Sequence, residues 1–268
     1  MRRFLACLVA VSAFVAGCSR EHNAQERAPE LRGVPALATD ATSTGAAGLR
    51  DSTVSTSSRP RIVFLGDSLS AGYGVAKEQS IPALVQTHLD AEGYSYEVAN
   101  QGVSGDTSAG GVSRLDWSLS GDVRVLVVEL GGNDGLRGLP VETTKQNIAQ
   151  IIKTAKQRGV EVLLTGMEAP PSYGPLYTAE FRQVFRDLAR EYDVPFMPFF
   201  LEGVAGNPAL NQADGIHPNP EGAVIVEQAV WTSLKPLLEE VRHAEAAEQR
   251  RRTDTTSTVR LKADSTSK

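Results

Sequence analysis

Cysteine is nearly absent: the chain of 268 residues has two, Cys7 and Cys18, both in its first twenty positions. The rest is thiol-free, which excludes disulfide staples, thiolate metal sites and cysteine nucleophiles from any folded part downstream. Basic charge is also short, since 27 Lys and Arg against 32 Asp and Glu leave a formal net charge of −5. Nothing here favours nucleic acid, which needs a strongly basic face. No glycine-rich loop ends in Lys-Ser or Lys-Thr, and Gly66 to Gly74 lacks the dinucleotide-binding spacing. Histidine is scarce too, with four in all, so imidazole chemistry has few candidates.

The apolar run Phe4–Ala16 is too short to span a bilayer as a helix. Arg2 and Arg3 precede it and small residues close it, the pattern of an export signal over residues 1–17. Its last residues, Val15-Ala16-Gly17-Cys18, resemble a bacterial lipobox, in which the signal is cut before a cysteine whose sulfur carries a diacylglyceryl group. Cys18 is therefore expected to be lipidated, and two or more acyl chains anchor stably. An ordinary signal peptide with a cysteine near its cut site is the alternative. Ser19 resembles the outer-membrane sorting signal, so the expected location is the periplasmic face of a membrane, with the outer membrane favoured.

Residues 18–60 are rich in Ala, Thr, Ser, Gly and charge, with no sustained apolar period, and read as a disordered tether behind the lipidated cysteine. The same composition returns over 244–268, which includes Arg250-Arg-Arg252 and reads as a disordered tail. One folded domain is expected over 61–243.

Within it, apolar runs that read as buried parallel strands alternate with helical patterns. The strands are Ile62–Leu65, Tyr96–Ala99, Val123–Leu130, Val160–Leu164 and a short Pro195–Met197. Helical spacing links Ile81, Leu84, Val85, His88 and Leu89; Ile148, Ile151, Ile152 and Ala155; and Phe181, Val184, Phe185, Leu188, Ala189 and Tyr192. Asn219-Pro220 supplies a cap and a first-turn proline for a last helix running towards Leu238. The predicted fold class is α/β, a three-layer α/β/α arrangement around a parallel, five-stranded, flavodoxin-like sheet.

In such a fold, chemistry collects in the loops beyond the strands' carboxyl ends. Four of these loops are unusual: Gly66-Asp67-Ser68-Leu-Ser70, Asn100 to Ser108, Gly131-Gly132-Asn133-Asp134-Gly135, and Ala213-Asp214-Gly-Ile-His217-Pro218. A serine hydroxyl attacks weakly unless a base takes its proton, and histidine is suited to that task. His22 lies in the tether, His243 near the tail, and His88 on an apolar helix face where a hydrogen-bonded structural role is the better reading. That leaves His217, beside Asp214. Taken alone, Asp214 also reads as a turn cap, Ser68 as a helix cap, and Asn133 as a residue tolerating left-handed dihedrals. An α/β-hydrolase elbow is excluded because position 70 is Ser where Gly-x-Ser-x-Gly requires glycine. A hard-cation site from Asp67, Asp134, Asp214 and His217 is weakly supported, and no metal is expected.

Together these loops resemble the blocks of the SGNH, or GDSL, hydrolases, in the family's order: Gly-Asp-Ser-Leu-Ser (66–70), Ser-Gly-Asp-Thr-Ser (104–108), Gly-Gly-Asn-Asp (131–134) and Asp-Gly-Ile-His-Pro (214–218). Residues 128–138 and 194–200 are similar to the bacterial periplasmic thioesterase/protease/lysophospholipase subgroup. The resemblance implies Ser68 as nucleophile, His217 as general base and then acid, and Asp214 orienting His217. It implies an oxyanion hole of the Ser68 amide, Gly105 and Asn133, with Gly102 as the fallback for Gly105. The implied reaction is two-step hydrolysis of a carboxylic ester or thioester, of arylesterase, acyl-CoA thioesterase or lysophospholipase type, without a cofactor. Deacetylation of acetylated carbohydrates and an anchored, non-catalytic binding protein are the competing readings.

Overall fold

The computed structural model describes residues 59–265. The expected signal, Cys18 and almost all of the expected tether lie outside the described residues. Five parallel strands form one sheet: β1 (Arg61–Gly66), β2 (Glu97–Gly102), β3 (Val123–Glu129), β4 (Glu161–Thr165) and β5 (Phe196–Met197), in the order β2-β1-β3-β4-β5. Continuous apolar runs form the inner strands because both faces are covered. Ile62, Val63, Phe64 and Leu65 are fully buried, as are Val125, Leu126, Val127 and Val128. The edge strand β2 runs three residues past the expected Ala99. Asn100, Gln101 and Gly102 pair with Phe64, Leu65 and Gly66, and their partly exposed edge position accommodates polar side chains.

Helices cover the sheet as right-handed crossovers require. The chain steps from β1 to β2 in one direction and from β2 through β5 in the other, so the connecting helices fall on opposite faces. Helix α2 (Ile81–Ala91) packs with the last helix, α7 (Pro220–Ser265). On the other face α3 (Ser108–Ser118), α5 (Val141–Gln157) and α6 (Pro175–Tyr192) lie side by side. Helix α5 buries Ile148, Ile151, Ile152 and Ala155, and α6 buries Phe181, Val184, Phe185, Leu188 and Ala189. These are the positions their periodicity selects, each large side chain contributing roughly 1.5–3 kcal/mol by burial. Two short helices, α1 (Ser68–Ala71) and α4 (Gly132–Leu136), follow β1 and β3 directly.

Asn219 caps α7, its Oδ1 accepting the Gly222 N–H at 2.9 Å. The helix buries Val226, Val230, Leu234, Leu237, Leu238 and finally Val241. Here the structure departs from the sequence reading: residues 244–265, expected to be a disordered tail, continue α7. Ala, Glu, Gln and Arg dominate 244–252 and rank among the strongest helix formers. No glycine or proline follows Pro236 to stop the helix. Extending a nucleated helix is far cheaper than starting one, so it outruns its apolar face.

His88 has the structural role expected of it. Its Nδ1 lies 2.9 Å from Glu227 Oε1 on α7, and its ring stacks on Trp231 with centroids 4.2 Å apart.

Candidate active site

Strands β1 and β3 are neighbours, and their carboxyl ends carry the two turns on which the site is built. In the β1 turn, Asp67 caps α1, its Oδ1 accepting the Leu69 N–H at 3.0 Å. Ser68 is therefore the first helical residue and not the cap, which leaves its hydroxyl available. In the β3 turn, Gly131 takes the left-handed conformation with φ of 108°, where a Cβ is strongly disfavoured. Asn133 stands inside α4, and Asp193 is the one non-glycine residue with positive φ among those described. Tolerance of left-handed dihedrals is thus not what places Asn133 here.

Ser68, His217 and Asp214 meet in one hydrogen-bonded line. Ser68 Oγ lies 2.8 Å from His217 Nε2, and His217 Nδ1 lies 2.7 Å from Asp214 Oδ2. A carboxylate can only accept, so Nδ1 carries the proton and Nε2 faces the serine as a lone pair. The second carboxylate oxygen of Asp214 accepts the N–H groups of Ile216 and His217, at 2.9 and 3.0 Å. Those two amides and then the imidazole hold Asp214 down at about 2. Gln212 steadies the loop, donating Nε2 to the carbonyls of Tyr73 and Pro218 at 2.7 and 3.0 Å. The Tyr73 ring lies against His217, with centroids 4.7 Å apart.

Asn133 donates one Nδ2 hydrogen to Asp67 Oδ2 at 3.0 Å, and the amide has a second hydrogen to offer. Gly105 has φ of 81°, lines the cavity beside Ser68, and has its carbonyl held by Arg137 Nη2 at 2.8 Å. Gly102, the fallback, gives its N–H to Asn100 Oδ1 at 2.9 Å. The structure thus brings Ser68, Gly105, Asn133 and His217 to one cavity of about 290 Å³, with Asp214 directly behind His217. Its apolar lining comes from Leu69, Leu136, Met167, Phe199, Leu201 and Ile216.

The four groups weighed as a cation site do not converge. Asp134 is buried against the Ser108 N–H at 2.8 Å, the Ser108 hydroxyl at 2.5 Å and the Thr144 hydroxyl at 3.1 Å. Among the described residues no group of three or more His, Cys, Asp or Glu side chains is placed to hold a metal ion.

One participant escaped the sequence reading. Glu129, the last residue of β3, is fully buried beneath the β1 turn. Its Oε2 accepts the N–H groups of Asp67 and Ser70, both at 3.1 Å, and the Ser70 hydroxyl at 2.7 Å. Gly66 makes room for it, since a Cβ there would lie 2.1 Å from Ser70 Oγ and 2.4 Å from Glu129 Oε2. Burial, and then the charge of Asp67, pushes Glu129 well above the ordinary carboxylate range. Burial also raises Asp67, to about 6, against hydrogen bonds from Leu69, Glu129 and Asn133. The signal was present: Glu129 is the lone acidic residue in a strand that is otherwise almost continuously apolar.

Residues 64–225 match the GDSL-like Lipase/Acylhydrolase family. The chain is 46% identical to the esterase TesA of Pseudomonas aeruginosa over 178 residues, 66% of this chain and 89% of that protein. It is 39% identical to thioesterase 1/protease 1/lysophospholipase L1 of Escherichia coli, again over 66% of this chain and 84% of that one. Among solved structures, TesA superposes with a TM-score of 0.64 at 44% identity, covering 66% of this chain and 99% of the other. The esterase EstA from Pseudoalteromonas sp., solved with monoethylphosphonate as inhibitor, gives 0.64 at 34% identity over 67% and 98%.

Proposed function

Since the chain belongs to the GDSL-like lipase/acylhydrolase family, we propose that it hydrolyses carboxylic esters and thioesters through an acyl-enzyme on Ser68. The observation that carries this reading is the unbroken line from Ser68 Oγ through His217 to Asp214, at 2.8 and 2.7 Å. In the first step Ser68 Oγ bonds to the acyl carbon while its proton passes to His217 Nε2. Asp214, held ionised by the Ile216 and His217 amides, stabilises the imidazolium that forms. The negative charge that develops on the acyl oxygen is met by the N–H groups of Ser68 and Gly105 and the free Nδ2 hydrogen of Asn133. His217 then gives its proton to the departing alcohol or thiol. Water, deprotonated in turn by His217, releases the acid and restores Ser68. The reaction so written needs no cofactor.

The apolar lining favours an acyl chain over an acetylated carbohydrate, and the complete relay argues against a purely binding role. Ser68→Ala is expected to remove activity on p-nitrophenyl esters and acyl-CoA thioesters by at least about 10⁴-fold while leaving the fold intact. Full activity in that variant would end the proposal. A phosphonate ester should label Ser68 stoichiometrically, and mass spectrometry placing the adduct elsewhere would count equally against it.

We further propose that the hydrolase domain, residues 61–243, is exported and held at a membrane through a lipidated Cys18. The support is the sequence of residues 1–18, and the substrates would include amphiphiles such as lysophospholipids at that surface. Cys18→Ser should release the protein from membranes, and unchanged membrane association would reject the anchor.

A further inference from the structure

Behind the reacting groups lies a carboxyl pair that the mechanism above does not use. Glu129 Oε2 gathers three donors, the Asp67 and Ser70 N–H groups and the Ser70 hydroxyl, while its Oε1 is buried with no hydrogen-bond partner. An ionised Glu129 would leave Oε1 buried with no donor to meet its share of the charge, a cost that a proton on Oε1 removes. The adjacent carboxyl is that of Asp67, whose backbone N–H donates to Glu129 Oε2 and which is itself buried. Asp67 in turn uses Oδ1 to cap the helix that begins at Ser68 and Oδ2 to hold the Asn133 amide.

We infer that Glu129 is a positioning residue that works in its protonated form. Its Oε1–H donates to the Asp67 carboxylate, and its Oε2 clamps the turn that presents Ser68, so that nucleophile and Asn133 amide keep a fixed mutual orientation. The inference deepens the proposed acyl-enzyme reading and rests on Asn133 serving the oxyanion. Without the proton, two carboxylates would face each other in a site that excludes water, and the Asn133 amide would lose its guide. The titratable group facing the pair is His217 across the site. Arg114 is the nearby cation, bound through Nη2 to the Gly66 carbonyl at 2.8 Å and through Nε to Asp106 at 2.7 Å. Burial raises both acids, Asp67 to about 6, and the charge of Asp67 raises Glu129 further, in keeping with a proton held on Glu129.

Glutamine reproduces a protonated glutamate, accepting at its carbonyl and donating from its amide, and it cannot ionise. Glu129→Ala should lower kcat on a p-nitrophenyl ester by about 10²-fold with KM within about threefold, the pattern of lost transition-state stabilisation. Glu129→Gln should recover most of that loss. The wild-type enzyme should show an alkaline fall in kcat as Glu129 ionises, and Glu129→Gln should abolish it while leaving the acid limb unchanged. Folded Glu129→Gln no more active than Glu129→Ala would overturn the inference. A measurement on the wild type stands even if neither variant folds. With ¹³C-labelled glutamate, the side-chain carboxyl carbon assigned to Glu129 through its own backbone should stay at its protonated position at neutral pH. An ionised resonance there would overturn the inference, whereas an active Ser68→Ala variant would reject the acyl-enzyme reading and leave this resonance untouched.

Discussion

The loop Ala213–Pro218 and the turn Gly66–Ser70 each hold a carboxylate against a side chain of the proposed site, His217 and Asn133 respectively, by opposite means. Asp214 is over a third exposed at its side chain and takes its hydrogen bonds from residues two and three positions along the chain. Asp67 is buried, and its partners Glu129 and Asn133 come from β3 and α4, more than sixty residues away. Backbone amides pull the first carboxylate down to about 2, and burial pushes the second up to about 6. The carboxylate proposed to work in its charged form thus lies in a solvated loop rich in donors. One that must fix geometry is placed where few alternative arrangements exist.

If that contrast is right, substitutions in the two regions should separate rate from stability. Asp214→Ala has the largest expected effect, a fall in kcat of about 10³–10⁴-fold because the His217 tautomer and imidazolium lose their support. Its thermal midpoint should stay close to the wild type, and a collapse in the melting curve would show that the loop is structural after all. Asn133→Ala should cost about 10²–10³-fold in kcat with KM little changed. Steady-state kinetics giving a KM effect alone would reject the oxyanion role proposed for Asn133.

Gly66→Ala tests the buried region by sterics. Its Cβ would overlap Ser70 and Glu129, so urea denaturation should show a loss of about 1–3 kcal/mol. A wild-type midpoint would mean that the clamp around Glu129 yields freely.

The smallest and most diagnostic effect is the pH dependence of stability. Asp67 binds its proton more tightly when folded, so its contribution is complete below 3.8 and is lost as pH rises through about 6. The stability gap between wild type and Asp67→Asn should therefore move in the variant's favour from pH 4 to pH 7. Asp214 has the opposite sign: its contribution is present above 3.8 and lost as pH falls through about 2. The gap between wild type and Asp214→Asn should narrow as pH drops from 4 to 2. Parallel slopes for the two variants, measured by denaturant titration, would dissolve the distinction.

Much of this was legible from the residues in order. Continuous apolar runs marked β1 and β3 because strands covered on both faces require them, and the buried faces of α5 and α6 followed from their 3.6-residue spacing. Asp214 and His217 could be paired on paper because the contact spans three residues and depends on one loop. Ser68 stood out as a hydroxyl at a strand end.

Other features depended on the fold. The cap of α1 is Asp67, the positive dihedral of the β3 turn belongs to Gly131, and α7 continues through residues whose composition alone suggested a tail. Chain-local patterns decide which segments become strands or helices, because backbone hydrogen bonding and side-chain alternation act over a few residues. The 2.8 Å contact between Ser68 and His217 joins residues 149 positions apart, and the clamp of Glu129 on the β1 turn joins residues 59 and 62 apart. Only the parallel register of β1 on β3, with Gly66 opposite Glu129, places that carboxyl where its burial sets its charge.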